Sequence, residues 1–227
     1  MKTSILRGCA AAALVAGVLG GGSASAKDVV IHAGKLIDGV SATPRTQVSI
    51  LIRDDRITGV QNGFVTPAGA EVIDLSSKTV LPGFIECHDH ISSNGDRRPL
   101  NRFTQTTGDA TIAAVANARR EIEEGFTTVR DLGSDGISAP AVIRAIAAKQ
   151  IVGPRYWTAL QAMGPTGGHS DRQNGLSPAV SIAGRDAAII DGPEDAVVKV
   201  RQHRRDGATV IKIMPSGGVA SIGDDPN

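Results

Sequence analysis

Aromatic side chains are scarce in this chain: one Trp, one Tyr and four Phe among 227 residues. So few rings make poor platforms for stacking nucleic-acid bases. An excess of one charge is missing too, since 24 Lys and Arg stand against 23 Asp and Glu. Without a basic field to neutralise phosphates, nucleic acid is not an expected partner. Cysteine is limited to Cys9 and Cys87. Charged residues make up 21% and hydrophobic residues 41%, an ordinary globular balance that argues against a disordered chain.

What is present begins with a leader. Lys2 and Arg7 precede an apolar run from Cys9 to Leu19, glycines, and Ala24-Ser25-Ala26. This pattern predicts a secretory signal peptide over residues 1–26, cleaved before Lys27. The run is shorter than the roughly 20 residues that span a bilayer, so no stable membrane insertion is expected after cleavage. The expected location is therefore periplasmic or secreted. Removing 26 residues leaves 227 − 26 = 201 with Cys87 alone, and a lone cysteine makes no internal disulfide. The mature charge is 22 − 23 = −1.

From Lys27 to about Ser77 the chain alternates with period two. Val29-Val30-Ile31 reads as a short strand. Val48, Ile50 and Ile52 face one side of a second, Asp54-Asp55 turns, and Arg56 to Val60 returns. Val72-Ile73-Asp74 is a third candidate. The expectation is a small antiparallel sheet, part of a β-sandwich, over residues 27–77.

After Lys78 strands and helices alternate. Apolar strands are expected at Thr79 to Ile85, Phe126 to Val129, Arg155 to Ala159 and Ala208 to Met214. The helix expected from about Asp109 to Glu124 presents Ile112, Val115, Ala116 and Ile122 as its inner face, with Gly125 at its C-terminal cap. Ser138 is the expected cap of a second helix, with Pro140 in its first turn and Val142, Ile143 and Ile146 inward. A third opens at Pro193 and ends at Gly207. Continuous apolar strands between amphipathic helices predict a parallel sheet covered on both faces or closed into a barrel.

Chemistry concentrates at Cys87-His88-Asp89-His90, just after the strand ending at Ile85. In extended backbone, residues two apart share a side, so His88 and His90 can offer two imidazoles to one metal ion while Asp89 points away. Two surface histidines in a polar loop would give the same spacing.

The stretches LIDG from Leu36, DDRITGV from Asp54 and VIDLSSKTVLPGFIECHDH from Val72 resemble the metal-dependent amidohydrolase superfamily. GFTTVRDLG from Gly125 and IKIMPSGGV from Ile211 resemble its imidazolonepropionase-like and Xaa-Pro or Xaa-Arg dipeptidase branch. The resemblance implies a (β/α)8 TIM-type barrel behind a small β-sandwich segment. It further implies two divalent metal ions, zinc by default, and hydrolysis of an amide-type C–N bond in a dipeptide or cyclic amide by a metal-activated hydroxide.

Lys212 lies inside the apolar run Val210-Ile211-Lys212-Ile213-Met214. A cation there needs a lowered pKa, a buried carboxylate partner or an exit to solvent. An uncharged lysine can react with carbon dioxide, and by similarity to the family Lys212 matches the carboxylated lysine that bridges two metals. The family's two further histidines and late-strand aspartate have no match here. No histidine follows Lys212, and Asp224 and Asp225 are not assigned those roles. The catalytic residue is therefore unassigned.

The loop Gly164-Pro165-Thr166-Gly167-Gly168-His169-Ser170-Asp171 reads as a substrate-side segment, with His169 facing a carbonyl or carboxylate, or as a lid with a solvated histidine. Arg130 and Asp131 either orient substrate, Arg130 being the substrate-binding candidate, or pair with each other across the rim. Ser216-Gly217-Gly218 reads as a backbone nest near the site. His32 is expected in a sandwich strand and His203 on the solvent face of a basic helix.

The leading expectation is an exported metallohydrolase of small molecules or dipeptides, with a homo-oligomer left open. The alternatives are an inactive fragment of such an enzyme and a periplasmic metal-binding protein. An α/β barrel needs roughly 250 residues. Only 227 − 77 = 150 follow the sandwich segment. Residues 78–227 are therefore expected to be the first half of a barrel, with about four strand–helix units.

Overall fold

The computed structural model describes residues 28–93, 95, 104–180 and 184–218. The expected leader, Asp224 and Asp225 lie outside the described residues. The chain divides into two units after Pro82.

The first unit is a four-stranded sheet of β1 (Asp28–Leu36), β2 (Arg45–Arg53), β3 (Arg56–Asn62) and β4 (Glu71–Val80), in the order β3-β2-β1-β4. It is mixed, not antiparallel as expected, because β4 runs parallel to β1. Val48 and Ile50 turn inward with Ala33 and Leu36 to make its core. Ser49 between them is buried as well. Its hydroxyl donates to the Gly63 carbonyl and accepts from the Val65 amide, both at 2.9 Å, so its burial leaves no polar atom unpaired. The expected third strand extends to Val80 and crosses the expected boundary at Ser77. The strand expected from Thr79 to Ile85 is therefore two pieces, parted at Pro82, which has no N–H to continue a ladder. Among the described residues this unit is one sheet; a second sandwich layer is not among them.

The second unit alternates β5 (Phe84–Asp89), α1 (Thr107–Glu123), β6 (Phe126–Asp131), α2 (Ser138–Ala147), β7 (Arg155–Thr158) and α3 (Pro193–Asp206). The three strands are parallel in the order β5-β6-β7. The expected fourth strand forms no ladder. Thr209 and Val210 both donate to the Thr158 carbonyl, at 2.8 and 3.3 Å, and the chain then meets the segment after β7 at the isolated Met163–Ile213 bridge. The interruption sits at Leu160, whose φ of 58° ends the extended backbone.

α1 starts two residues before the expected Asp109. Thr106 and Asp109 form a reciprocal capping box, with the Thr106 amide donating to Asp109 Oδ2 at 2.8 Å and the Asp109 amide to Thr106 Oγ1 at 3.2 Å. Its inner face is the expected one only at Val115, which packs against the core. Ala110, Ala114 and Ala118 are buried, whereas Ile112 is 72% exposed. Small side chains let the helix approach the sheet and α2 closely, packing beside Val129, Val142 and Tyr156. The branched residues instead line an outer apolar groove of about 680 Å³ with Ile151 and Val152.

α2 is also capped differently from expectation. Ser138 is its first residue, and Asp135 supplies the cap by accepting from the Ile137 and Ser138 amides at 3.1 and 2.8 Å. Val142 is buried as expected, a burial that contributes about 1.5–3 kcal/mol. α3 opens at Pro193 as expected, and Gly207 closes it in the left-handed conformation at φ 112°. The sheet was expected to be covered on both faces or closed into a barrel. α1 packs on β6 and α2 on β7, but Ile85 and Trp157 on the opposite face are 64% and 44% exposed. No helix among the described residues is long and apolar enough to cross a membrane.

Candidate active site

The site is built by an irregularity in β5. Glu86 pairs with Val129 and Asp89 with Asp131, so three steps along β5 match two along β6. Cys87 and His88 together oppose Arg130, which is the two-against-one count of a β-bulge. Past the bulge, Asp89 falls on the helix-covered side with Asp131, while His88 and His90 are exposed. Their rings lie edge to face with centroids 5.3 Å apart.

His90 is held from behind. Its Nδ1 lies 2.9 Å from the Gly133 carbonyl. A carbonyl only accepts, so Nδ1 is the donor in this bond and Nε2 takes no part in it. Gly133 allows this approach, because a Cβ there would lie 2.9 Å from Nδ1. The His88 amide donates to Glu86 Oε1 at 2.8 Å. Burial holds the His88 imidazole below its usual pKa, and the positive charges of Lys212, His90 and Arg130 add to the effect. His88 is therefore neutral at pH 7, the form that binds metals.

Lys212 and Arg130 thus stand close enough to His88 to act on it electrostatically. Lys212 is half-buried, and its carbonyl accepts from the Met163 amide at 2.9 Å. Among the described residues no carboxylate forms an ion pair with it. The surface is rich in positive charge and suits an anionic group.

Arg130 and Asp131 do not pair across the rim. Adjacent strand residues point to opposite faces. The exposed Arg130 donates from Nε to the Cys87 carbonyl at 2.7 Å, steadying the bulge. Asp131 is fully buried and accepts from Thr158 Oγ1 at 2.7 Å and from the Ile91 and Gly133 amides at 3.4 Å. Burial pushes its pKa above the ordinary carboxylate value. Burial likewise raises Asp89, and it raises Glu121 on α1 with the Asp89 charge adding to it. Tyr156 between them is pushed up by burial too.

His169 is on the loop after β7. Its amide donates to the Ser216 carbonyl at 3.3 Å, and a Cβ on Gly218 would collide with its ring. The Gly-rich loop is thereby folded onto the chain that follows Lys212. Gln105, Ser134, Ser170 and Arg172 line a cavity with His169. Sequence reasoning passed over Gln105, Ser134 and Arg172, because no spacing or periodicity marks them, while Ser170 fell within the candidate loop and Gly133 within a family-like stretch. His203 corrects an expectation: it is buried, not on a solvent face. Nδ1 lies 3.1 Å from the Lys199 carbonyl and Nε2 3.0 Å from the Gln161 carbonyl, so the ring ties α3 to the loop after β7. His32 is in a strand as expected, stacked on Phe64 at 5.1 Å.

Residues 79–227 match the model of the amidohydrolase family. The chain belongs to this family. Among curated relatives of this amidohydrolase, it is 32% identical over 223 residues to the ochratoxinase of Aspergillus niger, covering 89% of this chain and 45% of the relative. It is 32% identical over 122 residues to the imidazolonepropionase of Nocardia farcinica, covering 45% of this chain and 31% of that one. Among solved structures, a Xaa-Pro dipeptidase with methionine bound in its active site matches with a TM-score of 0.79 and 33% identity, over 88% of this chain and 51% of that chain. The crystal structure of A. niger ochratoxinase matches with a TM-score of 0.73 and 26% identity, over 89% of this chain and 50% of that chain. This amidohydrolase chain spans about half the length of the relatives it matches.

Divalent metals are general in the superfamily. Two imidazoles on one face suit such an ion. Among the described residues no group of three His, Cys, Asp or Glu is arranged to hold one.

Proposed function

We propose that this chain carries the first metal-binding half of an active site that hydrolyses amide-type C–N bonds in small molecules such as dipeptides. The observation that carries the reading is the bulge in β5, which turns His88 and His90 onto the open sheet face beside Lys212. His88 and His90 would hold a divalent ion, zinc by default. The Lys212 amine, attacking carbon dioxide and losing a proton, would become a carbamate and add an oxygen donor between two ions. When bound, the ions supply Lewis acidity and a water of lowered pKa.

The chain's own residues do the rest. The Gly133 carbonyl sets the His90 ring angle. Burial, with positive charge nearby, holds the His88 imidazole below its usual pKa. Arg130 and His169 are the substrate-side groups. Residues 1–26 support an exported enzyme, periplasmic or secreted.

Metal analysis of the wild type and Lys212→Ala, carbon-13 NMR after labelling with bicarbonate, and a dipeptide hydrolysis screen test the reading. Bound divalent metal, a carbamate signal and their loss in Lys212→Ala support it. Full metal content in Lys212→Ala would remove the carbamate from the scheme. The chain covers about half of its relatives, which favours one second reading. Metal uptake without turnover would mark it as a binding half that does not hydrolyse by itself.

A further inference from the structure

Five buried side-chain polar atoms lack a hydrogen-bond partner among the described residues, and three of them belong to residues lining one cavity. They are Gln105 Nε2, Ser134 Oγ and Ser170 Oγ. Native folds leave few such atoms unpaired, so three at one cavity point to a group that comes from outside. The cavity holds about 330 Å³, at the lower end of the range for small-molecule sites.

Its chemistry is one-sided. Gln105 offers an amide NH2, Ser134 and Ser170 offer hydroxyls, and Arg172 adds an exposed guanidinium at the rim. Among the described residues Asp135 is the one carboxylate in the lining, and its oxygens are engaged by the Ile137 and Ser138 amides and the Ser138 hydroxyl at 3.1, 2.8 and 2.7 Å. The backbone makes room for the donors: a Cβ on Gly164 would lie 2.9 Å from Ser170 Oγ. The cavity also adjoins the metal-binding face. Ser134 follows Gly133, whose carbonyl holds His90, and Met214 in the lining is two residues past Lys212.

We propose that this cavity seats the carboxylate of an N-acyl amino acid or of a dipeptide C-terminus, held by Arg172, Gln105, Ser134 and Ser170. The assignment of substrate class rests on the amide-hydrolase reading above, but the binding itself does not require turnover. A carboxylate accepts several N–H and O–H donors at once, and a guanidinium strengthens such bonds through its charge. A ligand seated there extends its amide bond toward the His88–His90 face.

Calorimetric titration of the full chain in a metal chelator, with N-acetyl-L-alanine and N-acetyl-L-alaninamide as probes, tests this. The acid should bind about tenfold or more tightly than the amide. Arg172→Gln and Ser170→Ala should each weaken the acid several-fold and leave the amide and the circular dichroism unchanged. Equal binding of acid and amide, or no loss in either variant, overturns the proposal. Inorganic phosphate displacing the acid at lower concentration than acetate overturns the carboxylate assignment. A carboxylate preference with no hydrolysis of any amide would sink the hydrolase reading and leave this site standing. Hydrolysis without a carboxylate preference would do the reverse.

Discussion

The two faces of the β5–β6–β7 sheet are built from alternate residues of the same short strands, yet they do opposite work. On the helix-covered face Val129, Asp131, Tyr156 and Thr158 are buried, and Asp131 is paired with three donors. On the open face Arg130, Trp157, His88 and His90 are exposed. The covered face holds the strands in place and keeps acids whose pKa values burial has raised. The open face gathers nitrogen donors and positive charge. Neighbours in sequence such as His88 and Asp89 therefore differ in environment more than residues far apart in the chain.

This contrast can be broken from either side. The largest effect is expected from removing a donor on the open face. His88→Ala should lower zinc affinity at least about 100-fold while shifting unfolding by no more than about 0.5 kcal/mol, as read by metal titration and urea melts. The same substitution class on the covered face should invert the pattern. Asp131→Ala leaves the Thr158 hydroxyl and two amides without their acceptor and should cost about 3 kcal/mol of stability. A loss of metal binding larger than the loss of stability would show that the faces are not separable.

A third variant crosses between them. Gly133→Ala puts a methyl against His90 Nδ1. Zinc affinity should fall about tenfold with little change in the urea midpoint, and an unaltered affinity would show that the Gly133 carbonyl does not orient the ring.

Acid titration gives a smaller and directional test. The folded Asp131 pKa lies above its unfolded value near 3.8 because of burial. The folded state therefore binds more protons than the unfolded one within that window. Stability contributed by this group falls as pH rises from about 3.8 to the raised folded value, and the cost is fully present above it. Asp131→Asn should flatten this part of the stability curve; an unchanged slope would place the titration elsewhere. The smallest effect is expected outside both faces. Ile112→Gln in the outer groove of α1 should change stability by less than about 0.5 kcal/mol, and a larger loss would mean the groove is covered.

How much of this was legible varies with the interaction involved. Period-two alternation marked Val48 and Ile50, and Pro193 and Gly207 marked the limits of α3, because local backbone chemistry sets those features. The inner face of α1 was misread because periodicity finds the most hydrophobic stripe. Packing against a sheet selected the smallest one, Ala110, Ala114 and Ala118. The N-terminus of α2 was misread because a serine at the right place looks like a cap, while the nearby Asp135 carboxylate does the capping. His203 looked solvated on a helix of charged residues. Its burial depends on the Gln161 carbonyl, 42 residues away, at 3.0 Å.

The sequence by itself determined the alternation of strands and helices, the spacing of His88 and His90, the lone Lys212 in an apolar run and the family to which these belong. These are features of a few neighbouring residues, and short-range sterics and hydrophobic period suffice for them. Only the tertiary structure decided which face those residues occupy. The bulge appears when β5 is laid beside β6, the hydrogen bond of His90 when Gly133 reaches it, and the unpaired donors around His169 when loops from separate strands meet. Each depends on distances between groups far apart along the chain, which are set by packing and not by local propensity.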